Sequence, residues 1–132
     1  MRFVDANVFI YVLVKYPKED YLTSKSILKR IEDGEEAITS TFIIQEVVEW
    51  LEYNNRRKEV EKFLVALNSY MTMRKVEASW RDMLDAASDM EKYGLDFIDA
   101  LTLQVMKKNN VTEIYTNDRD FDRVEWARRI WK

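Results

Sequence analysis

The sequence predicts an α/β fold, a three-layer α/β/α sandwich around a central parallel sheet of four to five strands. Short apolar runs alternate along the chain with longer stretches in which apolar residues recur at helical spacing. Strands and helices in alternation form parallel sheets whose two faces are both covered by helices. The 132 residues include only two glycines and one proline, so few positions interrupt the helices. That length suits one hydrophobic core, and we expect a single domain over residues 1–132.

Five short runs have the composition of buried strands. They are residues 2–4, 37–39, 73–76, 113–116 and, as a short fifth strand, 129–131. Between them, amphipathic segments predict helices at residues 7–14, 20–33, 41–53, 56–70, 79–93 and 97–108. The single proline separates the first two helices. Gly34 and Gly94 end two of the helices, and Asp96 and either Ser40 or Thr41 can cap two others.

Composition excludes several kinds of chemistry. The chain has no cysteine and no histidine, which excludes disulfides, thiolate nucleophiles, Ser-His-Asp hydrolysis and imidazole acid–base catalysis. Its formal net charge is -3 at pH 7, so any contact with nucleic acid would depend on local basic patches. No apolar run approaches the roughly 20 residues that span a bilayer, and no signal-peptide pattern follows Met1. We therefore expect a cytoplasmic protein without a membrane segment.

Two aspartates follow predicted strands. Asp5 comes directly after the first strand, and Asp118 follows the fourth strand by two residues. Ligand sites of parallel sheets lie beyond the carboxyl ends of the strands, so both acids are expected at the functional edge. The alternative is that Asp5 is a helix cap and Asp118 a turn residue, both of which are common uses of aspartate.

Glu46 is expected at the border of an apolar helix face. On a helical wheel it lies between Phe42 and Tyr53 on one side and Trp50 and Ile43 on the other. An ionised carboxylate in such a place needs a metal or a charged partner. A metal site and an ion pair with a nearby basic residue are both open at this point.

Asp99 occupies a similar border position on the last predicted helix, between Leu103 and Met106. Asp96, three residues earlier, is expected as the helix cap. The alternative for Asp99 is a capping-box-like pairing with Asp96, which would need no metal.

Together the four acids predict a divalent cation site. Carboxylates that converge repel one another unless a cation lies among them. With oxygen ligands alone, Mg²⁺ or Mn²⁺ is favoured over Zn²⁺, and Mg²⁺ is often completed by phosphate oxygens of a substrate. This donor set indicates phosphoryl or phosphodiester chemistry.

Four segments resemble the acidic blocks of PIN domains, in order and in spacing over nearly the whole chain. They are residues 3–8, 41–46, 95–101 and 115–121. The resemblance is to VapC-type toxins in particular. It implies an endoribonuclease that uses Mg²⁺ or Mn²⁺, with an RNA substrate, a cognate antitoxin protein and a homodimeric state. The acidic quartet of the family matches Asp5, Glu46, Asp99 and Asp118.

The resemblance also implies supporting residues. Thr116 matches the hydroxyl position near the fourth acid, and Asn7 resembles the polar residue after the first. Ala6 departs from the family, in which Thr or Ser is frequent. Asp96 and Asp120 lie close enough in sequence that either could replace its neighbour as a ligand.

Basic residues are candidates to contact an RNA backbone, and single-stranded or loop RNA is favoured as the substrate. These candidates are Arg56, Arg57, Lys58, Lys107, Lys108, Arg119 and Arg123. Two other functions stay open. One is a non-catalytic PIN-fold module that binds RNA or a protein. The other is a haloacid-dehalogenase-like phosphatase with Asp5 as the nucleophile, although Asn7 stands where that motif has a second aspartate.

Overall fold

A computed structural model describes all 132 residues. Its five strands are β1 (Arg2–Val4), β2 (Ala37–Ser40), β3 (Met73–Val76), β4 (Glu113–Tyr115) and β5 (Arg128–Ile130). They form one sheet in the order β3-β2-β1-β4-β5, and every neighbouring pair is parallel. The predicted parallel sheet is confirmed, with five strands.

Six α-helices cover the sheet. They are α1 (Ala6–Val14), α2 (Lys18–Glu32), α3 (Thr41–Tyr53), α4 (Val60–Ala66), α5 (Trp80–Tyr93) and α6 (Phe97–Lys108). Helix α1 packs against α2 and α3, whereas α5 packs against α6. Right-handed crossovers between parallel strands place these two groups on opposite faces of the sheet, which gives the expected α/β/α layers. None of the helices combines the length and the apolar character needed to cross a membrane.

The helix expected over residues 56–70 is shorter in the structure. Helix α4 covers only its middle, and 3₁₀ turns lie on either side at Arg57–Glu59 and Leu67–Ser69. Within this segment only Phe63 and Leu67 are buried, and they lie one helical turn apart. Because so little of the segment packs on the core, its ends tighten into 3₁₀ turns.

Ser40 precedes α3 as expected, but its side chain does not cap that helix. Its hydroxyl donates a hydrogen bond of 2.8 Å to the carbonyl of Val76. The bond joins the carboxyl ends of β2 and β3. It therefore holds together the sheet edge from which α3 begins.

The centre of the sheet is fully buried. Five residues of its central strands have none of their surface exposed: Phe3, Val4, Ile38, Ile114 and Tyr115. From β1 the chain proceeds outward to β2 and β3, and from β4 it proceeds outward in the other direction to β5. The strand order therefore reverses between β1 and β4. In open parallel sheets a crevice forms at such a reversal, beyond the carboxyl ends of the strands, and this is where ligands bind.

Candidate active site

Asp5 lies in the crevice at the end of β1 and is 5% exposed. It is the N-cap of α1, and its Oδ1 accepts a hydrogen bond of 2.8 Å from the amide of Ala6. Its Oδ2 accepts a bond of 2.8 Å from the hydroxyl of Thr116. Asp5 therefore acts as a helix cap, which was the alternative considered for it from the sequence. This role leaves the second lone pair of each oxygen free, so the cap and a ligand role are compatible.

Thr116 connects the first and fourth acids. Besides donating to Asp5, its hydroxyl accepts hydrogen bonds from the side-chain amide of Asn7 at 2.9 Å and from the amide of Asp118 at 3.0 Å. One buried hydroxyl thus fixes the end of β1 and the loop after β4 relative to each other. Both residues that the family resemblance suggested as supports, Thr116 and Asn7, lie in direct contact with each other.

Asp99 lies in the first turn of α6 and is 8% exposed. Its backbone amide donates a hydrogen bond of 2.9 Å to Oδ1 of Asp96, the N-cap of the helix. The Asp99 carboxylate does not return a bond to Asp96. Helix α5 shows the contrast, because there Ser79 and Asp82 form a complete capping box. The capping-box alternative for Asp99 is therefore wrong, and its carboxylate is free to face the crevice.

Glu46 is half-buried on α3, between buried Ile43 and Val47 and exposed Glu49. It forms no ion pair, so the alternative of a basic partner is wrong. The expectation that Tyr53 belongs to the apolar face beside Glu46 is wrong. Tyr53 is 88% exposed, because it lies at the end of α3 beyond the core.

The acids influence one another electrostatically. Burial, together with the charges of the neighbouring acids Asp5, Asp96, Asp118 and Glu46, raises the pKa of Asp99 to about 8. Burial also raises the pKa of Glu46 to about 7, with the charges of Asp5 and Asp96 acting in the same direction. The pKa of Asp5 is raised by burial to about 6, against the opposing effect of its hydrogen bonds from Thr116 and Ala6. The four predicted acids therefore share one electrostatic environment.

Asp99, Asp118 and Asp120 bring their carboxylate oxygens close enough together to share a cation, and this group includes neither Asp5 nor Glu46. One oxygen each of Asp99, Asp118 and Asp120 lies within 4.8 Å of the others. Asp118 Oδ1 accepts a hydrogen bond of 2.9 Å from the amide of Asp120. Asp120 also pairs with Arg123 at 3.1 Å, and 49% of its side chain is exposed. It lies beside the predicted quartet, as the sequence suggested.

This donor set suits a hard divalent cation. None of Asp5, Glu46, Asp99 and Asp118 has a basic partner, although two of them are buried. Their repulsion is only partly offset by the positive ends of the helices that start here. A cation bound among these oxygens would relieve the repulsion, and oxygen-only donors favour Mg²⁺ or Mn²⁺.

The basic candidates differ in their contacts. Arg123 donates to the carbonyl of Gly94 at 2.7 Å as well as to Asp120, so it braces the rim of the crevice. Lys108 binds the buried Asp82, and Lys107 lies over the Trp126 ring, both at the far end of α6 from Asp99. The remaining candidates are Arg56, which pairs with Glu59, and Arg57, Lys58 and Arg119, which form no ion pair. RNA contact stays a prediction for all of them.

A polar group behind the crevice was not predicted from the sequence. Asp20, on the first turn of α2, accepts hydrogen bonds from the side chains of Asn117 and Trp131. Asn117 also donates to the hydroxyl of Tyr11. The only available signal was the position of Asn117 between Thr116 and Asp118, since its partners are distant in sequence.

The sequence profile of the PIN domain matches residues 2–127. The chain belongs to the PIN-domain family. The resemblance inferred from the four acidic segments is thereby confirmed. No curated protein is significantly similar to this PIN domain in sequence.

Three solved structures with the same fold are a VapC toxin, a toxin–antitoxin complex and a VapBC protein. The VapC20 toxin of Mycobacterium tuberculosis, described as cleaving the sarcin–ricin loop, has a TM-score of 0.76 and 17% identity over 95% of each chain. A toxin–antitoxin complex from Klebsiella pneumoniae has a TM-score of 0.69 and 17% identity, and the match covers 98% of this PIN domain and 96% of that chain. VapBC2 of Rickettsia felis, bound to a DNA fragment from its promoter, has a TM-score of 0.73 and 15% identity. The match covers 99% of this PIN domain and 98% of that chain. At these identities the similarity establishes the fold.

Proposed function

We propose that this PIN domain is an endoribonuclease that requires Mg²⁺ or Mn²⁺ and acts as the toxin of a VapBC-type toxin–antitoxin pair. The observation that carries the proposal is the group of acids at the β1–β4 crevice, which converge without a basic partner. Membership in the PIN family supports nuclease activity. The haloacid-dehalogenase-like alternative loses its support, because the chain belongs to the PIN family and Asn7 stands where that motif has a second aspartate.

The roles of the acids follow from their surroundings. Asp5 and Asp99 are the most buried and would hold the principal cation. Asp118 would complete its ligand set, with Asp120 as the adjacent carboxylate. Glu46 is half-buried on a separate helix and would orient the attacking water through a hydrogen bond. A divalent cation bound here supplies positive charge for the phosphate oxygens and makes water more acidic.

Each supporting residue restricts the geometry of an acid. Thr116 holds Oδ2 of Asp5, and Ala6 holds its Oδ1 through the backbone. Arg123 ties Asp120 to the carbonyl of Gly94, which precedes α6. Because these contacts exist in the free protein, the carboxylates need little rearrangement when a cation and a substrate bind.

The substrate class and partners come from the structural relatives. One is described as a toxin that cleaves the sarcin–ricin loop, and two are toxin–antitoxin assemblies. We propose single-stranded or loop RNA as the substrate, a small antitoxin as the inhibitor, and a homodimer as the active form. Arg119, next to Asp118 and exposed, is the cation best placed to meet the RNA backbone.

RNA cleavage with a matched pair of variants tests this function. Purified protein is incubated with a mixed RNA substrate in Mn²⁺, in Mg²⁺ and in EDTA. Glu46→Gln should abolish cleavage, whereas Glu49→Gln, one turn along on the exposed side of α3, should cleave at the wild-type rate. Asp99→Asn provides a second inactive variant.

Two results would contradict the proposal. Cleavage that persists in EDTA would exclude the metal-dependent mechanism. RNA binding without cleavage under every metal condition would favour the non-catalytic module. Growth arrest on induced expression of the wild type, but not of Asp99→Asn, would be expected of a toxin.

A further inference from the structure

Asp20 receives two hydrogen bonds from parts of the chain that lie far away in sequence. Its Oδ1 accepts one of 3.3 Å from the side-chain amide of Asn117, which follows β4. The same oxygen accepts one of 3.1 Å from the indole Nε1 of Trp131, which follows β5. Asp20 forms no ion pair, and only neutral donors hold its carboxylate. It therefore joins α2 to the segments after two neighbouring strands.

The side-chain amide of Asn117 donates both of its hydrogens to this group of residues. Its Nδ2 group has two hydrogens, and the structure gives it two acceptors, Asp20 and the hydroxyl of Tyr11 at 3.1 Å. Its backbone amide donates to Oδ1 of Asn7 at 3.2 Å. The ring of Tyr11 in turn packs on the ring of Trp131, with centroids 5.7 Å apart. These contacts leave Asn117 little freedom to rotate.

Asn117 lies between the two residues that build the crevice edge. Thr116 before it binds Asp5, and Asp118 after it contributes an oxygen to the carboxylate group with Asp99. A rotation of the backbone at Asn117 would move both neighbours together. Only three residues, 116–118, lie between the end of β4 and the 3₁₀ turn that begins at Arg119, so a displacement of Asn117 is passed directly to both of its neighbours.

We propose that Asp20 is a positioning residue of the nuclease site, which acts through Asn117 to hold Asp118 in place against Asp5 and Asp99. The inference deepens the proposed function and rests on it for the role of Asp118. Residues that orient metal ligands from behind typically change metal affinity or activity about 10- to 100-fold when removed. Asp20 should do the same without touching the cation or the RNA.

The test compares Asp20→Ala with Glu19→Ala. Glu19 is the neighbouring acid in the first turn of α2, is exposed, and makes no side-chain contact with the crevice, so its removal matches the charge change. Asp20→Ala should weaken Mn²⁺ binding about 10-fold in calorimetric titration and lower kcat for RNA cleavage with little change in KM. Glu19→Ala should leave all three quantities at wild-type values.

Two further variants separate positioning from stability. Asp20→Asn retains a carbonyl oxygen that can accept both bonds and should restore most of the Mn²⁺ affinity. Trp131→Phe removes one donor but keeps a ring against Tyr11, so it should cause an intermediate loss. If Asp20 had only a structural role, Asp20→Ala would lower the melting temperature, and Asp20→Asn would not restore the Mn²⁺ affinity.

Amide hydrogen exchange in the metal-free protein gives a readout that does not depend on catalysis. In Asp20→Ala, exchange at Asn117 and Asp118 should accelerate about 10-fold, while the amides of the central strands keep their protection. Unchanged exchange at these two amides, or acceleration throughout the protein, would overturn the inference. If the wild type neither binds Mn²⁺ nor cleaves RNA, the proposed function fails, and the exchange measurement still decides whether Asp20 positions the loop.

Discussion

Removing the charge of Asp99 should stabilise the metal-free protein at alkaline pH. Burial and four neighbouring acids raise the pKa of Asp99 from 3.8 to about 8 in the fold. Because this pKa lies above the unfolded value, protonation favours the folded state. The stability associated with the protonated form is present at low pH and is lost as the pH rises through about 8.

The size of the effect follows from the shift. One pKa unit corresponds to about 1.4 kcal/mol, so a shift of about four units sets a ceiling of about 6 kcal/mol above pH 8. Relaxation of the crevice and water entry reduce this ceiling. We expect Asp99→Asn to raise the free energy of unfolding by about 1–3 kcal/mol at pH 8.5 in EDTA, and by clearly less at pH 5. The melting temperature should rise by about 3–4 °C per kcal/mol.

Urea denaturation at the two pH values, followed by circular dichroism, measures the difference. Glu49→Gln serves as the control, because Glu49 is exposed and its removal should produce no comparable gain at pH 8.5. Added Mn²⁺ should stabilise the wild type more than Asp99→Asn. Destabilisation by Asp99→Asn at pH 8.5, or a gain of equal size at both pH values, would refute the electrostatic reasoning.

Three further predictions concern single side chains. Thr116→Val removes the hydroxyl shared by Asp5 and Asp118 and should lower the cleavage rate at least about 10-fold, measured on a labelled RNA, while Thr116→Ser stays active. Glu46→Gln should raise the melting temperature of the metal-free protein at pH 8.5, since the pKa of Glu46 is raised to about 7, and a scan that shows no gain would contradict this. Ser79→Ala removes the cap of α5 and should cost about 1 kcal/mol in urea denaturation with cleavage unchanged, because Ser79 does not contact the crevice acids.

The sequence was sufficient to predict that Asp5 lies at the sheet edge and Asp99 at the border of a helix face. Both predictions need only the residues next to each acid in the chain. Asp5 follows a strand, and Asp99 lies at helical spacing from apolar residues, so each could be assigned to an edge or a face. The parallel sheet followed from the alternation of strands and helices. Its strand order, and hence the reversal between β1 and β4, depends on packing between elements that are distant in the chain.

The contacts behind the site could not be predicted from local patterns. Asp20 is 97 residues from Asn117 and 111 residues from Trp131, so no spacing rule connects them. On a helical wheel of α6, Lys107 projects beside Asp96, since eleven residues at about 100° each bring the helix back to nearly the same angle. In the structure these two residues lie at opposite ends of that helix, which a wheel projection cannot distinguish.

The bond between Thr116 and Asp5 joins positions separated by 111 residues. During synthesis, β1 leaves the ribosome early, but its neighbour β4 and the loop with Asp118 follow only near the end. A partly translated chain therefore has Asp5 without the partners that hold it. The carboxylate group proposed as the nuclease site is therefore complete only after nearly the whole polypeptide has emerged.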